Sequence, residues 1–74
     1  MGYAGVIGEF DDAVVAVRLR EEIARQRISR AGLAEAARLS ISTLEKALSG
    51  RRRFTLATIV RLEEALGASL RGSP

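Results

Sequence analysis

A chain of 74 residues, 47% of them apolar, makes one small domain with a single core and little room for an enclosed pocket. It has neither Cys nor His, which excludes disulfides, zinc fingers and thiol nucleophiles and removes the usual general base near neutral pH. The net charge is only +3, but eight basic residues fall between Arg25 and Arg53 against Glu35 and Glu45 alone, whereas the rest of the chain is net acidic, an asymmetry suited to a polyanion.

Residues 1–11 are Gly-rich without a period and read as a flexible N-terminal arm. Apolar stretches there are broken by Gly2, Gly5, Gly8 and Glu9, so neither a signal peptide nor a membrane span fits. Residues 12–70 are expected to form the domain and 71–74 a tail. Asp11 or Asp12 can cap a first helix from about Ala13 to Gln26, in which Val15, Leu19 and Ile23 recur every four residues. Glu21 and Arg25 are placed for an i,i+4 pair.

Ser29 caps a short second helix, about 30–37, with Leu33 and Ala37 inward; Gly32 inside it costs up to about 1 kcal/mol relative to Ala. Arg38 and Leu39 form a turn. Ser40 then caps a third helix, about 41–48, which Ser49-Gly50 ends. Arg51-Arg52-Arg53-Phe54 is a basic loop with one apolar anchor. Thr55 caps a fourth helix, Leu56 to Leu66, whose stripe is Leu56, Ile59, Leu62 and Leu66, with Gly67 closing it. A fifth helix has a possible start near Ser69. Glu63 lies close to the fourth helix's stripe and is expected to pair with an Arg of the first helix, Arg20 being the candidate.

At about 100° per residue, Ile41, Ser42, Glu45, Lys46 and Ser49 share one side of the third helix, and Leu44, Ala47 and Leu48 share the other. The outer side carries small polar groups and one cation. Such a helix fits the DNA major groove, with its N-terminal half against base edges. The helix starts at Ser29 and Ser40 offer N–H groups to phosphates, and Arg51, Arg52 and Arg53 are placed to hold the backbone.

The run SRAGLAEAARLSISTLEKALSGRRRFTLATIVRLEEALG, Ser29 to Gly67, resembles the lambda-repressor-like helix-turn-helix family, also called the xenobiotic-response-element family. Its landmarks are Ser29, Leu33-Ala34, Ser40, Ser42-Thr43, Leu44, Ala47, Gly50, Leu56, Thr58, Ile59, Leu62 and Ala65-Leu66-Gly67, and it is their joint spacing that carries the likeness. The resemblance implies an all-α fold, a compact bundle of four or five short helices. It sets Arg30 where the family faces the DNA backbone, Ser40, Ile41, Ser42 and Lys46 where it reads bases or adjacent phosphates, and Ser49 with Arg51–Arg53 where it grips the backbone beyond. Arg38 and Arg27 replace frequent glycines, and Arg38 needs an unusual backbone conformation. Ile23 and Leu48 together replace a buried Arg–Glu pair, a double swap that is often neutral or stabilising.

The expected base-contacting set is therefore Ile41, Ser42, Glu45 and Lys46. The expected phosphate-contacting set is Ser29, Arg30, Arg38, Ser40, Thr43, Ser49, Arg51, Arg52 and Arg53. Ile41 is the odd member, fitting a thymine methyl and a dimer partner equally well. Ser42 and Lys46 mimic a Ser–Lys dyad, but neither is expected to be desolvated. The adjacent pairs Glu21-Glu22 and Glu63-Glu64 diverge by about 100° and make poor acid–base partners. A helical protein-interaction module is the rival class, and it leaves the Arg cluster unexplained.

The expected function is sequence-specific double-stranded DNA binding by a transcriptional regulator, repressor-like, with a DNA-binding antitoxin of a toxin–antitoxin pair as the alternative. The expected partners are duplex DNA and a second copy in a homodimer, with no catalytic residues, cofactor, metal or membrane. The expected setting is a bacterial cytoplasm, in association with the nucleoid; eleven Arg to one Lys hints at a GC-rich bacterial source. The chain stops seven residues after Gly67, as a fragment or a minimal regulator would.

Overall fold

The computed structural model describes residues 11–71, which form four helices and no strand: α1 (Asp12–Gln26), α2 (Arg30–Ala36), α3 (Ile41–Leu48) and α4 (Leu56–Leu66). Apart from Asp11, the N-terminal arm expected over residues 1–11 lies outside the described residues, as do residues 72–74 of the tail.

Each helix begins where a short polar side chain can accept a free backbone N–H. Asp11 takes the N–H of Ala13 at 2.9 Å, Ser29 that of Gly32 at 2.9 Å, Ser40 that of Thr43 at 3.0 Å and Thr55 that of Thr58 at 3.2 Å. A cap of this kind contributes about 1 kcal/mol. At Gly32, an added Cβ sits 3.0 Å from Ser29 Oγ, so glycine leaves room for the cap that starts its own helix.

The helix ends use left-handed residues. Gly67 closes α4 at φ +67°, whereas α1 ends at Arg27 with φ +55° and the turn after α2 contains Arg38 at φ +60°. Both arginines stand where the resemblance has glycine, and both adopt the conformation that glycine favours. The Arg38 N–H donates to Glu35 C=O at 3.1 Å and the Leu39 N–H to Ala34 C=O at 2.8 Å, which makes the α2–α3 connection tight.

One core joins all four helices. Val15, Ala16 and Leu19 of α1 meet Leu33, Ala34 and Ala37 from α2 and its cap, Leu44, Ala47 and Leu48 of α3, and Ile59, Leu62 and Leu66 of α4. Phe54 and Leu70 close it from the loop and from beyond α4. Ile23 packs against this core and Leu48 is buried in it, so the positions of the absent Arg–Glu pair are both aliphatic. No buried residue among those described is polar or charged.

Four expectations are corrected. Leu56 does not join the α4 stripe; it is 41% exposed, since it lies about 80° round the helix from Leu66, at the border of the buried face. Ser69 to Arg71 do not begin a fifth helix: the chain turns back at Gly67, and Leu70 is fully buried while its N–H donates to Glu63 Oε2 at 2.8 Å. Glu63 pairs with Arg71 at 3.0 Å, not with Arg20, whose guanidinium instead donates to the C=O of Leu48 at the end of α3. Arg25 pairs with Glu22 one turn away, not with Glu21. Glu22 also accepts from Gln26, whose amide donates to Leu66 C=O at 2.9 Å and joins the ends of α1 and α4. Gln26, then Arg25, hold the Glu22 carboxyl below its ordinary range.

Candidate nucleic-acid interface

The inner side of α3 is fixed by burial: Leu44 is fully buried, and Ala47 and Leu48 nearly so, against α1 and α2. That leaves Ser42, Glu45, Lys46 and Ser49 exposed together on the other side, with Ile41 exposed at the border between the two faces. A bare helix with side chains is about 10–12 Å across and the B-DNA major groove about 12 Å wide, so an outer face this free of neighbours is dimensioned for it.

The α2–α3 turn folds the start of α2 beside that face. Arg30 of α2, Ser42, Glu45, Lys46 and Ser49 of the α3 side, and Arg51 of the following loop line one open concavity. Three cations and a single carboxylate thus surround small hydroxyls. Six of the thirteen candidate contact residues are brought together here from three segments of the chain.

Local hydrogen bonds set the edges of this surface. Ser40 Oγ, while accepting from the Thr43 N–H, donates to Thr43 Oγ1 at 2.8 Å, so the two hydroxyls form one unit at the head of α3. Thr43 is half-buried and turned toward the side of the helix away from Glu45. Ser49 Oγ donates to Lys46 C=O at 3.0 Å, and the Arg51 N–H donates to the same carbonyl at 2.9 Å. Gly50, at φ +82°, reverses the chain after α3, a conformation that side chains resist.

The basic loop is held at its far end. Phe54 is buried, and its N–H donates to Asp12 Oδ1 at 3.0 Å, while Arg51, Arg52 and Arg53 remain exposed. Arg53 Nε stands 3.9 Å from Asp12 Oδ2 but is 93% exposed, a loose pair that leaves the guanidinium available to an anion.

Ser29 caps α2 and Ile41 opens α3. Arg38 is elsewhere: with Arg61 and Glu64 it lines a second concavity between the end of α2 and α4. Two supporting residues escaped the sequence reading. The sequence offers Asp12 only as a cap, yet it anchors the basic loop; it offers Arg20 to Glu63, yet Arg20 donates to a terminal carbonyl of α3, where a cation also complements the helix dipole. Periodicity carries no signal for either role, since both partners are backbone groups distant in sequence.

Ser42 and Lys46 are both exposed on the open groove, without the burial that a Ser–Lys dyad needs. Among the described residues no group of three or more Asp, Glu, His or Cys is arranged to hold a metal, and no helix is long and apolar enough to cross a membrane.

A family model described as Helix-turn-helix matches residues 19–72, from the core leucine of α1 through the turn past α4. No curated protein and no solved structure matches the chain.

Proposed function

The chain belongs to the lambda-repressor-like helix-turn-helix family of all-α DNA-binding domains, and from that premise we propose that it is a sequence-specific transcriptional regulator, repressor-like, that inserts α3 in the major groove of duplex DNA. The observation that carries the reading is the open groove in which Arg30, Lys46 and Arg51 surround Ser42, Glu45 and Ser49. In this reading Ile41, Ser42, Glu45 and Lys46 meet base edges. Ser29, Arg30, Ser40, Thr43, Ser49 and Arg51–Arg53 meet phosphates on either side, and Arg38 reaches a phosphate further along the duplex. Phosphate contacts set register and base contacts set sequence. One eight-residue helix reads few base pairs, so the protein acts as a homodimer on two half-sites about 34 Å apart, one helical turn of DNA.

Titration of a labelled duplex followed by fluorescence anisotropy at about 50 and 200 mM salt tests this. Five cationic phosphate contacts per protomer predict affinity lower by roughly 500-fold per protomer at the higher salt. Selection from random duplexes is expected to enrich a two-fold repeated site. Absence of binding at the lower salt, with protein in the tens of micromolar range, overturns the reading.

A further inference from the structure

Ile41 is the only large apolar side chain that α3 exposes, at 44%. Around the helix axis it lies within about 20° of Leu48, seven residues on. Leu48 is 2% exposed, so the apolar line of α3 is covered at its end and uncovered at its start. Side chains on a helix lean toward its N-terminus, and Ile41 is the first helical residue after the Ser40 cap. Its methyls therefore project beyond the head of α3, the end that meets base edges in recognition helices. Branching at Cβ holds χ1 in one rotamer within a helix, which makes this a stiff contact.

The surroundings favour DNA as the occupant. Val14 and Val17 are exposed on α1, and Leu56 and Val60 on α4, so no second exposed large apolar side chain of α3 extends the patch at Ile41. The next residue, Ser42, lines the groove with Glu45, Lys46, Arg30 and Arg51, so Ile41 stands at the border of that cationic concavity. A protein partner needs a contiguous apolar area of some hundreds of Å². A single branched side chain in a cationic, polar setting matches the one apolar feature of the major groove, the C5 methyl of thymine.

We propose that Ile41 is a specificity-determining residue that packs on a thymine methyl in the bound site. The proposal rests on the major-groove reading above and adds to it the base read and the residue that reads it.

The test uses the duplex enriched from random sequence, with each thymine replaced in turn by deoxyuridine, which removes the methyl and leaves the pairing edge intact. At one thymine of a half-site the substitution is expected to weaken binding about fourfold, the equivalent of about 0.8 kcal/mol for one buried carbon. Ile41→Ala is expected to bind the thymine and deoxyuridine forms of that site equally, with its salt dependence unchanged, which separates a lost contact from a lost fold. If the parent protein binds the enriched duplex but is indifferent to every deoxyuridine, the proposal fails while DNA binding stands. It fails equally if Ile41→Ala keeps the discrimination, or if that substitution weakens self-association and leaves the discrimination intact, which assigns Ile41 to a second copy. No binding to any duplex removes the underlying reading itself.

Discussion

Asp12, the first residue of α1, accepts the backbone N–H of Phe54 at 3.0 Å, a bond across 42 positions that ties the start of the first helix to the end of the basic loop. Phe54 is buried, so the far end of the segment carrying Arg51–Arg53 is held by one apolar anchor and one hydrogen bond. Asp12→Ala leaves that N–H without its partner and is expected to cost about 1 kcal/mol in urea denaturation. Asp12→Asn keeps an acceptor oxygen and is expected to recover most of the loss. Equal losses in the two variants would instead assign the effect to the charge and its loose pair with Arg53.

Arg27 and Arg38 hold positive φ, which costs a residue with a Cβ about 1–2 kcal/mol. Glycine relieves that strain but gives up about 0.5–1 kcal/mol through the greater entropy of its unfolded chain. Each Arg→Gly substitution is therefore expected to stabilise the protein by about 0.5–1 kcal/mol, seen as a melting temperature higher by a few degrees. Their effects on DNA are expected to differ. Arg38→Gly loses a proposed phosphate contact and lowers the slope of log K against log salt by about one, whereas Arg27→Gly leaves it unchanged. Identical slopes in both variants would remove Arg38 from the interface.

Glu63 ties the segment after α4 to that helix. Burial pushes its carboxyl up, but the Leu70 N–H and the Arg71 guanidinium together outweigh it and hold the group below its ordinary value. A depressed folded pKa gives stability that is complete above the unfolded carboxylate's range and is lost as pH falls through the lower folded value. Glu63→Gln is expected to be less stable at pH 7 and to have a flatter acid limb in denaturation curves taken between about pH 7 and 3. Parallel curves for the two proteins would mean that the Glu63 charge contributes nothing to the latch.

The residues that were legible in advance share a physical basis. Ser29, Ser40 and Thr55 act as caps because a helix start needs an acceptor within three residues, and Leu33, Leu44, Ile59 and Leu62 are buried because they repeat at helical spacing. The groove was legible in the same way, since the outer face of α3 follows from where its leucines lie. Leu70 was not, as a single apolar residue past a left-handed turn has no period to declare it. Opposite charge alone pairs Arg20 with Glu63 in the sequence, but Leu48 C=O and the Leu70 N–H are the partners that the folded backbone supplies. Leu56 shows the converse: it stands three residues from Ile59 but at the border of the buried face, where it stays exposed.

Glu45 is the one carboxylate in a groove otherwise lined by Arg30, Lys46, Arg51 and two serines, and it faces the same surface as its neighbour Lys46. Against phosphates the two act oppositely: Lys46 attracts at any sequence, while Glu45 repels at any sequence and is compensated only where it accepts a hydrogen bond, as from a cytosine N4 amine. Lys46→Ala is therefore expected to weaken binding to arbitrary duplexes and lower the salt slope by about one, and to weaken binding to the enriched duplex further through the base contact it also loses. Glu45→Gln removes the repulsion, so binding to arbitrary duplexes should tighten while the preference for the enriched site narrows. Both effects come from one set of anisotropy titrations on the two duplexes at several salt concentrations. A Glu45→Gln protein whose preference is unchanged would remove Glu45 from the base-reading set and leave it as a solvated charge beside the groove.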